Sequence, residues 1–398
     1  MSTFIPTFLT IVALISVIAH PLKAQYTGTG SVTQGAGAVV TKDLFVCAKG
    51  RPTNLGTIMA RDGRSWTVPA SVNFAEKSFP ASHDLHNACS GVMYANTAAA
   101  RAGLANSSVV TVDADGEMLT AYVFADNYFE MYVNGVPVGK DNVPFTQFNS
   151  SVVKFRARRP CTIAILAVDW EENLGLGSES MPGTQYHPGD AGIVITFTDQ
   201  AGNIIETTSD AWRAQTYYTS PIQDLTCLSE VGNVRSSATC SDADAADGSR
   251  FYGVHWERPA GWMNAEFDDA LWPRATVYAN NVVGVDNKPS YTNFVDLFDD
   301  PRFDAKFIWT SNLVLDNEVL LRYRLQGTTS VGISESTRHD SCDEASRIEL
   351  YGIDGVFVAA VPSAIELDRM LQILPSGTYV RVVRTGDTVC TTLLVNVR

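Results

Sequence analysis

The segment FADNYFEMYVNG, residues 124–135, decides the fold class that we predict for this chain. Its side chains alternate, so that Tyr128, Glu130 and Tyr132 face one side of a strand while the apolar residues between them face the other. The closing Asn-Gly pair supplies the positive φ angles that a tight hairpin needs. The segment therefore predicts a strand with two differently covered faces that ends in a turn.

The pair Asp126-Asn127 directly precedes this strand. Short Asx side chains hydrogen-bond their own backbone and set the bend where a strand begins. We therefore interpret the pair mainly as part of the architecture, and a ligand role for Asp126 is the alternative.

Further β-rich runs separated by turns extend from residue 109 to residue 325. Hairpin turns divide the runs SVVTVDADGEMLTAYVFA and GIVITFTDQAGNIIETT. The run CTIAILAVDW, residues 161–170, is continuously apolar and suits a central strand covered on both faces. Short strands joined by turns predict a mainly β fold: a central antiparallel jelly-roll β-sandwich, with a mixed N-terminal region and a small C-terminal β-sandwich.

Charge and export signals limit the partners. The 398 residues carry a net charge of −14, which repels phosphate backbones and argues against nucleic acid. The apolar run FLTIVALISVIA, residues 8–19, is short for a bilayer span and is followed by Ala24 as a cleavage position. It predicts a secretory signal peptide, a secreted or cell-surface protein and no transmembrane span in the mature chain, with an N-terminal anchor as the alternative.

The predicted division of the chain follows shifts in composition. A Gly-, Ser- and Thr-rich stretch is typical of a flexible leader, and residues 82–105 have the best helical composition in the chain. The predicted segments are 1–24, signal peptide; 25–43, flexible leader; 44–105, mixed N-terminal region; 106–325, β-sandwich; 326–345, linker; and 346–398, small C-terminal β domain.

Seven cysteines in an exported chain predict disulfides. They fall into local groups that match these segments, and Cys161 is left outside the pairs. The alternative is that all seven are small buried residues. The predicted bridges are Cys47–Cys89, Cys227–Cys240 and Cys342–Cys390.

Six short motifs occur in order along the chain: ADNYFEMYVNG, IAILAVD, TTSDAWRAQ, FDDALWPRA, FIWTSN and VLLR. Together they resemble a galactose-binding-like jelly-roll domain over about residues 105–325, of the sort appended to many secreted glycosidases and adhesins. The resemblance implies the fold but not sugar binding, because many such domains serve as spacers.

The C-terminal stretch IELYGIDGVFVAAV and the later LPSGTYVRVVRTGDTVCTTLLVNVR resemble the sorting domain of the bacterial type IX secretion system. The resemblance is carried by Leu374, Pro375, Gly377 and Tyr379 and by the final strand. It implies passage across an outer membrane, followed by loss of the tail or lipid anchoring at the surface. A small structural β domain that shares a Gly-Thr-Tyr turn is the alternative.

The acidic loop VDWEENLGLGSESMPGTQYHPGD, residues 168–190, follows the predicted central strand. Carboxylates beside an aromatic ring suit a saccharide stacked on that ring, or calcium bound by hard oxygen ligands. Paired carboxylates would also suit glycoside hydrolysis, and a solvated acidic loop is the further alternative. The predicted ligand-binding residues are Trp170, Glu171, Glu172, His187 and Asp190. The predicted calcium ligands in this loop are Asp169 and Asp190.

A second acidic segment, CSDADAADG, residues 240–248, offers Asp242, Asp244 and Asp247 as calcium ligands. Its spacing departs from that of an EF-hand and no Glu closes it, so a turn beneath a disulfide is the alternative. Hydrolase, phosphate-loop and zinc-helix motifs are absent from the sequence, and we assign no catalytic residue. Calcium is the one cofactor that the sequence suggests.

These features favour a secreted or cell-surface noncatalytic protein, which binds a glycan or another cell-surface polymer or is adhesive through its β-sandwich. A secreted carbohydrate-active hydrolase and a structural envelope or matrix protein are the alternatives. A glycan array separates the first class from the third, and turnover of chromogenic glycosides would support the second.

Overall fold

A computed structural model describes residues 26–48, 50–145, 148–179, 186–327, 348–352, 356–362, 367, 370, 374, 377–385 and 388–396. The chain divides into two compact units, one of Met1–Ala157 with Thr162–Arg324 and one of Arg158–Cys161 with Leu325–Arg398. The fold is mainly β, as predicted. No helix within the described ranges is long and apolar enough to cross a membrane.

The strands are short, and turns or loops join them, as the sequence pattern indicates. In chain order they are β1 (Ser31–Gln34), β2 (Ala38–Thr41), β3 (Leu55–Met59), β4 (Ser65–Val68), β5 (His83–Asn87), β6 (Val92–Met93), β7 (Val110–Thr111), β8 (Glu117–Asp126), β9 (Tyr128–Val133), β10 (Val136–Lys140), β11 (Ser150–Ala157), β12 (Cys161–Val168), β13 (Gly192–Thr198), β14 (Ile204–Thr207), β15 (Arg213–Ile222), β16 (Ser229–Val231), β17 (Val234–Ser236), β18 (Tyr252–His255), β19 (Thr276–Tyr278), β20 (Phe307–Trp309), β21 (Asp316–Leu325), β22 (Ile348–Gly352), β23 (Phe357–Val361), β24 (Gly377–Thr385) and β25 (Thr388–Asn396).

Helices are few and short among the described residues. They are α1 (Thr97–Gly103), α2 (Asn280–Val283), α3 (Pro289–Thr292) and α4 (Val295–Phe298), with 3-10 turns at Leu225–Cys227 and Gly248–Arg250.

Two large sheets form the first unit. One contains seven strands in the order β1-β18-β15-β21-β12-β9-β10. The other runs β19-β20-β13-β8-β11-β5-β6, with β14 beside β13 and β7 beside β11. The β7–β11 pair is parallel, whereas the long pairs, such as β8 with β11 and β9 with β12, are antiparallel. These sheets make the antiparallel β-sandwich that the sequence predicts.

The inner faces of the two sheets pack directly on each other. Val153 of β11 lies so close to Gly139 of β10 that a Cβ atom at position 139 would stand 2.5 Å from the valine side chain. The ring of Trp212 stacks on Phe197 of β13 at 6.3 Å and on Tyr323 of β21 at 5.1 Å. All eight residues of β12 are buried, which confirms the prediction of a central strand covered on both faces.

The outer face of the seven-stranded sheet carries a second core. Tyr128 and Tyr132 of β9 meet Phe74 and Phe79, which lie in the segment before β5, at 6.0 and 5.2 Å. Between the two tyrosines, Glu130 accepts hydrogen bonds from both hydroxyls at 3.0 and 3.1 Å. The three side chains therefore share one face, as the alternation predicts, and that face is closed to solvent.

Lys140 fixes one of the segments that cover this face. Its ammonium group donates to the backbone carbonyls of Asn73, Phe74 and Glu76 at 2.8, 2.8 and 2.6 Å. Three carbonyl acceptors around one cation hold the covering segment on the sheet. The result is a seven-stranded sheet whose aromatic outer face does not offer a ligand surface.

Residues 25–43 differ from the predicted flexible leader. Ser31–Gln34 forms the edge strand β1 and pairs with β18, with Ser31 opposite His255. Ala38–Thr41 forms β2, which pairs with β3. A Gly-rich composition describes local chain freedom, and here strand pairing from a distant part of the chain overrides it.

The prediction of a helix over residues 82–105 is correct only for its last part. His83–Asn87 forms β5 and pairs with β11, while the helix α1 covers Thr97–Gly103. Gly91 turns the chain between β5 and β6 with a φ of 81°, a conformation that glycine adopts readily. Because β5 belongs to the nine-stranded sheet, the region 44–105 is part of the first unit.

Two of the predicted disulfides are present. Cys47–Cys89 and Cys227–Cys240 join residues that are 42 and 13 positions apart, and each links neighbouring loops of the first unit. Loops of this length give a bridge about 3–4 kcal/mol of stabilisation in the chain-entropy account. Cys342 of the predicted Cys342–Cys390 bridge lies outside the described residues, as do the predicted signal peptide and most of the predicted linker.

The second unit contains one antiparallel sheet in the order β23-β22-β24-β25. Ile348 and Leu350 of β22 form its core with Tyr379 and Val383 of β24, and Leu374 packs against this core. Leu374 and Tyr379 are two residues of the stretch that resembles a sorting domain, and Pro375 lies outside the described residues.

Candidate functional site

The chain crosses from one sheet to the other at Asp126-Asn127. Asp126 ends β8 in the nine-stranded sheet, and β9 begins in the seven-stranded sheet at residue 128. The side chain of Asn127 donates to Asp126 Oδ1 at 2.6 Å and accepts from the backbone N–H of Trp170 at 2.6 Å. The pair therefore ties the ends of β8 and β12 together at this corner, through the backbone of Trp170 rather than through the pair's own backbone as the sequence suggested, and the corner also holds the start of the acidic loop.

Trp170 does not present a stacking surface for a sugar. Its side chain is 0% exposed, and the ring meets Tyr128 edge-on at 5.9 Å in the outer core of the seven-stranded sheet. The prediction of an exposed stacking ring is therefore wrong. The alternating direction of side chains continues past the end of β12 and carries the ring into the core.

The buried side chain of Glu171 holds the backbone of the acidic loop in place. Its buried carboxylate accepts hydrogen bonds from the backbone N–H groups of Gly175 and Gly177 and from the Tyr218 hydroxyl, at 3.2 Å in the last case. Burial raises the pKa of Glu171 to about 8, and the two backbone bonds oppose that shift. The carboxylate is occupied by the fold, so its predicted ligand role is also wrong.

A buried ring stack continues from this carboxylate. The Tyr218 ring stacks on His255 at 4.2 Å, and the other side of the imidazole faces Trp66 at 5.3 Å. The Thr33 hydroxyl lies 3.1 Å from His255 Nε2. The stack joins β1, β15 and β18 to the base of the acidic loop.

This stack predicts a pH dependence of stability. Burial lowers the pKa of His255 to about 3, below the value of about 6.5 in an unfolded chain. As the pH falls, His255 is therefore protonated in the unfolded state before it is protonated in the folded state. The contribution of neutral His255 to the free energy of unfolding is complete above about pH 6.5 and is lost as the pH falls towards 3. We expect the unfolding free energy of the wild type, relative to that of His255→Phe, to fall by about 2 kcal/mol between pH 7 and pH 5. Urea unfolding of both proteins at both pH values measures this change. A difference between wild type and His255→Phe that is the same at pH 7 and pH 5 would contradict the prediction.

Glu172 is held by an arginine rather than by the other predicted ligands. Arg51 Nε lies 3.3 Å from Glu172 Oε1, and Arg51 Nη1 lies 2.8 Å from Glu179 Oε2. Arg51 comes from the loop that carries the Cys47–Cys89 bridge, so the two ion pairs tie the acidic loop to that disulfide-linked loop. Sequence spacing gives no sign of this pairing, because the partners are more than 120 positions apart.

The structure brings the two predicted acidic segments together. Tyr186 and Ala245 exchange both backbone hydrogen bonds, at 2.8 and 3.0 Å. Beside this bridge, His187 Nδ1 lies 2.6 Å from Asp244 Oδ1, and the two side chains are 63% and 49% exposed. We name the surface formed by residues 186–190 and 240–248 the joined-loop surface. It is polar and solvent-accessible, and its backbone is held by strand-like pairing.

The three acids of the second segment act separately. Asp244 pairs with His187, whereas Asp247 accepts from the backbone N–H of Ser249 at 2.9 Å and caps a 3-10 turn. Asp242 is exposed. Among the described residues, no three or more His, Cys, Asp or Glu side chains stand in a group that could hold a metal ion.

Four other carboxylates lie near the sheet corner, and we name them the corner acids: Asp126, Asp169, Glu179 and Asp190. Asp169 follows β12 and is 3% exposed. Burial raises the pKa of Asp169 well above its usual value, and the negative charges of the other three corner acids raise it further. Burial also raises the pKa of Asp126, with Asp190 and Glu179 adding to the shift. Strongly perturbed carboxyls of this kind are typical of functional sites, although structural networks also produce them.

The sequence identified Asp169 and Asp190 but not their association with Asp126 and Glu179. That association requires the ends of β8 and β12, which lie in different sheets, to be neighbours in space. A cavity of about 20 Å³ lined by Ser82, His83 and Lys154 lies elsewhere and has room for a water molecule but not for a sugar ring.

Comparison of the chain with protein-family models, with curated proteins and with solved structures gives no match.

Proposed function

We propose that this chain is an exported, noncatalytic protein that binds a glycan or another neutral cell-surface polymer through the joined-loop surface. The exposed His187–Asp244 pair carries the proposal, because it presents a hydrogen-bonding imidazole and a carboxylate on a backbone fixed by the Tyr186–Ala245 bridge. Polar groups held in place before binding cost little ordering entropy.

The chemistry of this surface suits hydroxyl groups. Carboxylate oxygens accept hydrogen bonds from sugar hydroxyls, and an imidazole either donates or accepts according to its tautomer. The net charge of −14 disfavours polyanionic ligands such as phosphate polymers. With Trp170 inside the core, recognition relies on polar contacts at an open surface.

Export is supported by the chemistry of the chain. Two disulfides in the described residues are typical of oxidising compartments. The apolar N-terminal run and the C-terminal resemblance to a type IX sorting domain support secretion followed by display or release at the cell surface. Leu374 and Tyr379, which carry part of that resemblance, pack in the small C-terminal sheet.

A glycan array with the purified chain tests the binding proposal. We expect retention of at least one neutral glycan by the wild type, and a loss of affinity of about tenfold or more in His187→Ala, because a hydrogen bond to a charged group contributes about 1.5–3 kcal/mol. Glu257→Ala, which removes a carboxylate that is 74% exposed and far along the chain, is the matched control. Binding that is unchanged in His187→Ala, or absent from the array, would contradict the proposal and favour a structural envelope or matrix protein.

A carbohydrate-active hydrolase is the second candidate, and the corner acids are the observation that favours it. Glycosidases pair a carboxylic acid that stays protonated with a carboxylate that is ionised. Burial raises the pKa of the partly accessible Asp190, which is the direction that a general acid needs. Release of the chromophore from chromogenic glycosides by the wild type, and its loss in Asp190→Asn, would support hydrolysis over binding alone.

A further inference from the structure

We propose that a small cavity beside the β5–β11 strand pair binds one small monovalent anion, with chloride as the expected ion. The cavity has a volume of about 20 Å³, and its lining includes Ser82, His83, Ser108 and Lys154. We name it the β5–β11 cavity. It shares no residue with the joined-loop surface, so the proposal does not depend on glycan binding.

Strand pairing positions the polar groups of this cavity. His83 begins β5 and lies opposite Val152 of β11, and Lys154 follows two residues further along β11. Ser82 directly precedes β5, and its backbone N–H donates to Lys140 O at 2.9 Å. The cavity wall is therefore held by backbone hydrogen bonds before any ligand arrives, which lowers the entropy cost of binding.

The hydroxyl of Ser82 is an independent sign of a ligand. The Ser82 side chain is 6% exposed, and its Oγ has no hydrogen-bond partner among the described residues. Of the buried hydroxyls in those residues that lack a partner, it is the one whose residue lines the cavity. Buried polar groups in proteins are almost always satisfied, and a serine hydroxyl is a hydrogen-bond donor. An anion held in the cavity would accept the hydrogen bond that the protein leaves unmade.

Lys154 supplies a positive charge that the described residues leave unpaired. Its half-buried ammonium group donates to Leu104 O at the end of α1, and an ammonium has three donors, so two remain for a ligand. Burial lowers the pKa of Lys154 and no carboxylate of the described residues opposes that shift, whereas Glu130 and Glu76 oppose the same effect at Lys140. A bound anion would pair this cation, as partly buried charges in proteins require.

His83 and Ser108 add further donors at the solvent-accessible side of the site. The His83 Nε2 atom lies 3.1 Å from Ser108 Oγ. When the imidazole N–H donates to this oxygen, the serine hydroxyl keeps its own O–H for a ligand. Ser108 is exposed, so an ion can reach this pair from the surrounding solution.

The size and the walls of the cavity select the class of anion. A volume of about 20 Å³ accommodates one water molecule, and chloride is only slightly larger than water, whereas sulfate and phosphate are too large. Val138 and Val153 contribute apolar walls and are 2% and 1% exposed. Such walls strengthen the attraction between an ammonium group and an anion. One lysine balances one charge, and the net charge of −14 disfavours polyanions, so a monovalent ion is expected.

Chloride NMR tests the site directly in the full chain. The ³⁵Cl resonance broadens when free chloride exchanges with a protein site, and a saturable broadening gives the affinity. We expect saturable broadening with the wild type and an affinity about tenfold lower in Ser82→Ala, because a hydrogen bond to a charged group is lost. Ser82→Ala removes a hydroxyl that has no protein partner, so the fold should be unchanged. Lys154→Met should abolish the saturable broadening, and Lys77→Met, which removes an exposed lysine, should retain it.

Thermal unfolding supplies a second measurement. We expect sodium chloride at about 100 times the dissociation constant to raise the Tm of the wild type by about 5 °C relative to sodium gluconate at the same ionic strength, since gluconate is too large for the cavity. The same exchange of salts should leave the Tm of Lys154→Met unchanged.

Three results would overturn the proposal: no saturable broadening with the wild type, equal chloride affinity in the wild type and Ser82→Ala, or a Tm shift that persists in Lys154→Met. If Lys154→Met does not fold, because Leu104 O loses its donor, the Ser82→Ala titration decides by itself.

Discussion

We expect Trp170→Ala to lower the free energy of unfolding by about 3–5 kcal/mol, the range found when a large buried aromatic side chain is truncated. The indole is 0% exposed and sits beside the Tyr128 ring in the outer core of the seven-stranded sheet. Alanine leaves a cavity that the neighbouring strands cannot fill, because the hydrogen-bonded ladder between β9 and β12, in which Val168 lies opposite Tyr128, holds both strands in place. Equilibrium unfolding in urea measures the change.

Two matched variants separate packing from surface effects. Trp170→Phe keeps an aromatic ring in the site and should cost clearly less than Trp170→Ala. Leu271→Ala removes a large side chain that is 69% exposed and should change stability little. A Trp170→Ala protein with wild-type stability but weaker glycan binding would instead return the ring to the ligand role that the sequence suggested.

The second large effect is expected at Arg322. Its guanidinium is 2% exposed, lies 2.8 Å from Asp269, and donates to the backbone carbonyls of Trp262, Asn264 and Phe267. These acceptors all belong to the segment that covers the outer core. We expect Arg322→Met to lower the free energy of unfolding by about 3 kcal/mol or more, because each carbonyl left buried without a donor costs about 1–3 kcal/mol.

Chemical unfolding of Arg322→Met, with Arg302→Met as the control, measures this effect. Arg302 also pairs with an aspartate, Asp300 at 2.5 Å, but its side chain is exposed to solvent. Surface ion pairs contribute little, so the control should behave as the wild type does. Similar losses in both variants would show that ion pairing in general, rather than the buried carbonyl network, explains the result.

The covered outer face constrains where this protein can bind a ligand. The rings of Tyr132 and Trp262 meet at 5.4 Å on that face, and Glu130 between the tyrosines is fully buried. The joined-loop surface lies outside this covered face, and His187 and Asp244 on it are exposed to solvent. The proposed glycan surface therefore lies on the loops between β12 and β13 and between β17 and β18, and not on the face of a sheet.

Local pattern predicted several elements of this fold correctly. The alternation in residues 128–133 matches a strand covered on both sides, and the continuously apolar run of β12 matches a fully buried strand. The local grouping of cysteines predicted Cys47–Cys89 and Cys227–Cys240. In each case the deciding information lies within a few tens of residues, because side-chain direction and loop closure are local properties.

Predictions from local sequence patterns were wrong where pairing with a distant part of the chain decides the structure. Ser31–Gln34 looks like a flexible leader until β18 pairs with it, more than 200 positions away. His83–Asn87 has a helical composition, yet its pairing with β11 makes it a strand. Trp170 and Glu171 look like a ligand pair, but the Tyr128 ring and the Tyr218 hydroxyl engage them inside the fold.

The sequence by itself therefore determined the mainly β class, the strands with strong alternation and two of the disulfides. Only the tertiary structure decided which acids meet. Asp126 and Asp169 are more than 40 positions apart and end strands in opposite sheets, and they become neighbours because the chain crosses between the sheets at Asn127. Periodicity records which side of a strand a residue faces, whereas sheet order and crossings depend on packing between distant segments, which no local pattern encodes.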